Sequence, residues 1–133
     1  MRRIPRLVRN IQAFRQLGAY IEGRIAQLTS ESRDIQSASD ELFGSLESPL
    51  VRQFVPGFAV LTRIADLNVK LHSVRQKILQ LRQHLHDIRS REILGNGMLA
   101  EAIKAETSRI AERDMDEIIQ RTVAYSLRQD KSD

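Results

Sequence analysis

The sequence predicts an all-α fold, a long antiparallel two-helix coiled-coil hairpin, and two apolar repeats are the main reason. A seven-residue spacing defines the first repeat: Leu7, Phe14, Ile21, Leu28, Ile35 and Leu42. Alternating steps of four and three residues define the second: Val60, Ile64, Leu67, Leu71, Val74, Ile78, Leu81, Leu85 and Ile88. These are the a and d positions of a coiled coil, which form an apolar seam between paired helices. A pair of long helices leaves no interior in which to build an active site.

The composition supports helices and excludes several kinds of site. The chain has 133 residues, enough for a single domain. Aromatic residues make up 5% and there are three Pro, values that disfavour a β-sandwich or barrel. Cysteine is absent, which excludes a disulfide framework, a thiolate metal site and a thiol nucleophile.

Nothing in the sequence predicts membrane insertion. No window approaches the roughly 18 uncharged apolar residues of a transmembrane helix. The N-terminus is rich in arginine but no apolar segment follows it, so it does not read as a signal peptide. We therefore expect a cytoplasmic protein.

The first predicted helix spans residues 5–47 and begins at Pro5, whose missing N–H is not needed in a first turn. The second row of its seam is half polar or small, and includes Gly18, Ser32 and Ser39. Small residues let a partner helix approach closely, although each Gly costs about 0.5–1 kcal/mol of helix stability.

A turn is predicted over residues 48–56, because Pro49 and Pro56 cannot lie inside a helix without losing a hydrogen bond. The apolar residues of this region are Leu50, Val51, Phe54 and Phe58. They cover the end of the hairpin, or alternatively Phe54 and Phe58 form an exposed docking patch.

The second predicted helix spans residues 57–94 and is interrupted by a break at 95–97. The two glycines of Gly95-Asn96-Gly97 can end one helix, and Asn96 can cap a third helix over residues 98–128. The alternative is a kink in one continuous helix.

Folding the chain at its turn leaves residues 98–128 without a partner from the first helix. They would overhang the hairpin, fold back as the third helix, or fray into a partly disordered tail. The later apolar residues, Met115, Ile118, Ile119 and Val123, shift phase from the seam. An overhang of this kind suggests a surface that is completed by a partner.

Charge is distributed unevenly along the chain. Residues 1–95 carry a formal charge of +6 and residues 96–133 carry −2. The candidate basic surface consists of Arg2, Arg3, Arg6, Arg9 and Arg15. The candidate acidic surface consists of Glu112, Asp114, Asp116 and Glu117. Each is either a solvated helix face or a docking surface for a partner of opposite charge.

No catalytic, cofactor or metal site is predicted. His72, His84 and His86 lack the spacing of metal ligands on a helix, and Gly95-Asn96-Gly97 lacks the Lys and Ser/Thr of a phosphate-binding loop. The basic residues interleave with the seam and no aromatic platform accompanies them, which argues against nucleic acid.

The overall plan resembles a known family of export proteins. Two long helices with basic termini, a Pro-containing turn and a charged second-helix tail are similar to the flagellar export protein FliJ and its injectisome relatives of the YscO type. The tail segments that carry the resemblance run from Ala100 to Glu106 and from Arg113 to Glu117.

The resemblance implies a non-catalytic coiled-coil stalk of a type III export apparatus. Such a protein binds in the central hole of a hexameric export ATPase, links that ring to the export gate and handles export chaperones. It also implies peripheral association with the inner membrane through the export complex. The residues themselves leave open a homo-oligomeric coiled-coil scaffold or adaptor unrelated to secretion.

Overall fold

The computed structural model describes residues 3–49 and 57–132, and the fold is an all-α helical hairpin, which confirms the predicted fold class. Helix α1 spans Arg3–Leu46 and helix α2 spans Gly57–Ser132. No strand occurs in the described ranges.

Helix α1 ends within one residue of its predicted end. Beyond Leu46, the N–H of Glu47 donates to the carbonyl oxygen of Gly44 at 3.3 Å, and the N–H of Ser48 donates to that of Ser45 at 3.1 Å. These short-range bonds satisfy carbonyl groups that the end of a helix leaves without partners.

Most of the predicted turn cannot be compared with the structure. Residues 50–56, which include Leu50, Val51 and Phe54, lie outside the described residues. Phe58 is described, and it is 82% exposed at the start of α2.

The predicted break at residues 95–97 is wrong, and so is the separate third helix over 98–128, because α2 continues without interruption to Ser132. Neither glycine of this segment has a positive φ, so neither forms a left-handed helix cap. A Cβ atom placed on Gly95 would lie 3.1 Å from Cγ1 of Ile11. Gly95 is therefore a point of close helix contact and not a helix terminus.

The spacing of the seam residues in the sequence agrees with a continuous α2. The four-three steps that end at Ile88 continue to Glu92, Gly95, Leu99, Ala102 and Glu106. All five of these residues are half-buried. The repeat thus runs through the glycine segment without a change of register.

The chain divides into two units, which we describe separately. The seam unit holds residues 14–49 and 57–90, and the terminal unit holds residues 3–13 and 91–132.

Burial in the seam unit follows the two predicted repeats. Its buried apolar side chains are Ile21, Leu28, Val60, Ile64, Leu67, Leu71, Val74 and Ile78. Its half-buried seam residues are Phe14, Ile35, Leu42, Leu81, Leu85 and Ile88. Leu28, Val74 and Ile78 form one packed cluster between the helices.

Small residues of α1 lie at the closest contacts of the seam unit. Ser39 is the most deeply buried side chain, with 2% exposed. A Cβ atom placed on Gly18 would lie 3.0 Å from Cζ of Arg89. The same guanidinium donates from Nη2 to Oε1 of Glu22 at 2.6 Å. The absence of a side chain at Gly18 thus makes room for an ion pair between the helices.

We expect Leu71→Asp to destabilise the hairpin by about 3 kcal/mol or more, because it places an unpaired carboxylate in the buried seam. Val69→Asp is the matched control, since Val69 is exposed on the same helix, and its effect should stay within about 0.5 kcal/mol. Urea unfolding followed by far-UV circular dichroism measures both, and equal effects would contradict the assigned seam.

Substitutions at the two glycines distinguish close contact from helix termination. Gly97→Ala should stabilise α2 by about 0.8–1 kcal/mol, because alanine is the better helix former and a Cβ there has no neighbour within 4 Å. Gly95→Ala should stabilise less, since its Cβ crowds Ile11. Thermal melts of the two variants make the comparison, and a loss of stability in Gly97→Ala would restore the predicted break.

Candidate partner-binding surfaces

The basic surface begins with an unbalanced stretch of α1, because no Asp or Glu occurs before Glu22. Its described members are Arg3, Arg6, Arg9 and Arg15, and all four are exposed. The first three belong to the terminal unit and Arg15 belongs to the seam unit. Arg2 lies outside the described residues.

The arginines of the terminal unit lack carboxylate partners. Arg3, Arg6 and Arg9 make no ion pair with any described residue. Arg6 and Arg9 border a shallow depression together with Pro5 and Asn10. The first turn of α1 contains no acidic residue, so the positive end of the helix dipole adds to these charges. This end of α1 is suited to an anionic partner.

The seam of the terminal unit ends in a charged pair. Ile11 is buried and faces Gly95, whereas the last half-buried seam position is Glu106. Arg109 donates to this carboxylate from Nη2 to Oε1 at 2.6 Å and from Nε to Oε2 at 3.2 Å. These hydrogen bonds lower the pKa of Glu106 and raise that of Arg109. This hydrogen-bonded pair lies at the position where a further apolar residue would continue the seam.

Acidification should weaken this pair. The pKa of Glu106 lies below its ordinary value of 4.5, so the stability that the pair contributes is fully present above pH 4.5 and is lost as pH falls through the folded pKa. Carbon-13 NMR titration of the Glu106 carboxyl measures the shift. Arg109→Gln should raise the pKa toward its ordinary value, and an unchanged midpoint in that variant would contradict the assigned cause.

Beyond Glu106, α2 lies open to solvent. We call residues 107–130 the overhang; every one of them is exposed, and together they extend about 36 Å at 1.5 Å per residue. Of the three arrangements that the sequence left open for this part of the chain, the structure shows an overhanging helix.

The apolar residues of the overhang lie on a different face from the seam. The four-three spacing beyond Glu106 continues to Arg109, Arg113 and Asp116, which are charged. The apolar residues recur instead at Met115, Ile118, Ile119 and Val123, and we call these four the apolar stripe. Each is 53–59% exposed. Spacings of three, four and seven residues put all four on one side of the helix.

The predicted acidic residues do not share one face of the overhang. Asp116 lies beside Ile119 and Val123 along one edge of the stripe, and Glu112, seven residues before Ile119, lies in line with the stripe at its N-terminal end. Asp114 precedes Ile118 by four residues and lies along the other edge, whereas Glu117 lies on the side of the helix opposite the stripe. All four are exposed. The structure therefore distributes the predicted acidic cluster around the helix and does not gather it on one surface.

Comparison of the chain with protein-family models, with curated proteins and with solved structures gives no match. No helix among the described residues is both long enough and apolar enough to cross a membrane. In the same part of the chain, no three His, Asp or Glu side chains come together as ligands for a metal ion. The three histidines of α2 are exposed: His72, His84 and His86.

Proposed function

We propose that the chain is a non-catalytic coiled-coil stalk of a flagellar-type, or type III, export apparatus. In this role it binds the hexameric export ATPase, together with the export gate or export chaperones. The observation that carries the proposal is the terminal unit, which combines the unpaired arginines of α1 with the exposed overhang of α2.

The seam supports action as a single copy. The buried apolar residues of α2, such as Leu67 and Leu71, are covered by α1 of the same chain. A second copy is not needed to bury them, which suits a stalk that occupies the single central hole of a ring. A coiled coil that had to dimerise would instead leave one seam open in each chain.

The charges of the terminal unit support binding through this end of the protein. Arg3, Arg6 and Arg9 present a cationic face without neutralising partners among the described residues. Surface charges of one sign steer association with a surface of the opposite sign. We propose that this face meets acidic residues of the ring or of the gate.

The second candidate is a homo-oligomeric scaffold, and the apolar stripe is the observation that favours it. Four large apolar side chains remain exposed along one side of the overhang, and a second copy is one way to cover them. Sedimentation of the pure chain separates the two candidates, because a stalk should be a monomer and a scaffold a dimer or larger.

Affinity purification from a native lysate of the organism that makes the protein tests the stalk proposal. The tagged full chain should recover an export ATPase, and Arg3→Ser/Arg6→Ser/Arg9→Ser should reduce that recovery about tenfold, equivalent to about 1.4 kcal/mol. The control Arg63→Ser/Lys70→Ser/Lys77→Ser removes three exposed charges from the seam unit. It should recover the ATPase as well as the wild type does.

Quantitative mass spectrometry gives the readout. Failure of the wild-type chain to recover any export ATPase would contradict the export role, and a self-associated chain would favour the scaffold.

A further inference from the structure

We infer that the apolar stripe of the overhang binds an amphipathic helix of a partner protein, and that this helix carries Lys or Arg along the border of its apolar face. The inference concerns the chemistry of the partner. It holds whether or not the export proposal is correct.

The first argument is that this part of α2 is a complete amphipathic helix without a partner. Met115, Ile118, Ile119 and Val123 recur at the spacing of one helical face, and each is more than half exposed. Thr122 lies among them, so the face between its two edges carries no charge from Met115 to Val123. Amphipathic helices with apolar residues at matching positions bind grooves and faces of this kind.

The second argument is the charge along one edge of the stripe. Asp116 lies along this edge beside Ile119 and Val123. Glu112 and Asp130 lie on the same side of the helix, seven residues before Ile119 and seven residues after Val123. All three are exposed and make no ion pair with a described residue. We call these three residues the acidic edge. Arg109, seven residues before Asp116, shares this side of the helix, but its guanidinium is hydrogen-bonded to Glu106.

The opposite edge has a different character. Arg121 follows Glu117 by four residues and Asp114 by seven, so the three charges share one side of the helix and Arg121 offsets part of the negative charge. That side keeps a formal charge of −1 against −3 for the acidic edge, so the stronger negative field lies along the acidic edge. A partner helix gains most from cations at the positions that meet this edge.

Charge disfavours a second copy as the occupant. In an antiparallel pair related by a two-fold axis, the same edge of each helix meets its symmetry mate, so Glu112 and Asp116 would face the acidic edge of the other copy. In a parallel pair the acidic edge would meet the side of Arg121, whose charge is already offset by Glu117. The basic N-terminal part of α1 offers no comparable apolar face, because Ile11 is buried and Ile4 and Leu7 are half-buried.

Charge also disfavours an anionic membrane surface. Helices that lie in the membrane interface carry Lys and Arg beside their apolar face. Here the border of the stripe carries Glu112, Asp116 and Asp130 instead, which would be repelled by anionic headgroups.

Two synthetic helical peptides of about 24 residues, the length of the overhang, test the inference. Both carry the same leucine face; one has Lys at the flanking positions and the other has Glu. Fluorescence anisotropy with the full-length chain should give at least tenfold tighter binding of the Lys peptide. The preference should shrink at high salt, because the flanking charges are exposed and screened.

Matched variants locate the binding surface. Ile118→Ser/Ile119→Ser should weaken binding of the Lys peptide more than tenfold, whereas Leu127→Ser should not, although Leu127 is as exposed as Ile118. Glu112→Gln/Asp116→Asn should reduce the preference for the Lys peptide, and Asp114→Asn/Glu117→Gln should leave it nearly unchanged. Far-UV circular dichroism checks that each variant keeps its helix.

Three results would overturn the inference. Equal binding of the two peptides would remove the role of charge. Sedimentation of the wild type as a dimer that Ile118→Ser/Ile119→Ser dissociates would assign the stripe to a second copy. Flotation with phosphatidylglycerol vesicles that the same variant abolishes would assign it to a membrane. None of these measurements depends on recovery of an export ATPase, so the two proposals fail independently.

Discussion

The two helices pack against each other along the seam, where glycines leave room for side chains of the opposite helix. The rest of the structure depends on this packing. Long helices in water draw most of their stability from burying one face and not from propensity alone. At Gly18 the missing side chain makes room for the guanidinium of Arg89, and at Gly95 it makes room for Ile11. Because these contacts are tight, register along the seam is fixed by shape as well as by apolar burial.

The periodicity of the sequence was sufficient to predict two helices and the residues that pair them. It was not sufficient to predict the continuity of α2, because Gly95-Asn96-Gly97 has the composition of a helix cap and local composition does not report a tertiary contact. A Cβ atom at residue 95 would crowd Ile11, which lies far away in the sequence. The four-three spacing continues through Glu92 and Leu99 and indicates an unbroken helix. This continuation is hard to recognise in the sequence because two of its five positions are glutamates.

The relative depth of the seam rows also could not be predicted from hydrophobicity. Both rows of α1 contain buried and half-buried residues: Leu28 of the fully apolar row is buried and Phe14 is half-buried, whereas Gly18 and Ser39 of the mixed row are buried. Gly18 is covered by the side chain of Arg89 from the other helix, a contact that hydrophobicity does not report. The site residues show a similar limit, because four acidic residues that are close together in the sequence are distributed by the helix over different sides.

The change of apolar face along α2 connects the fold to its proposed interactions. Helix α1 has 44 residues and α2 has 76, so a hairpin of these two helices must leave part of α2 without a partner. If the apolar seam continued along the overhang, it would expose an apolar face that promotes non-specific association. Instead Glu106 and Arg109 close it with a hydrogen-bonded ion pair, and the apolar residues reappear at Met115 on another side of the helix. The pairing within the chain and the surface left for a partner are thereby kept on separate faces, so a partner helix can bind the overhang without competing with α1.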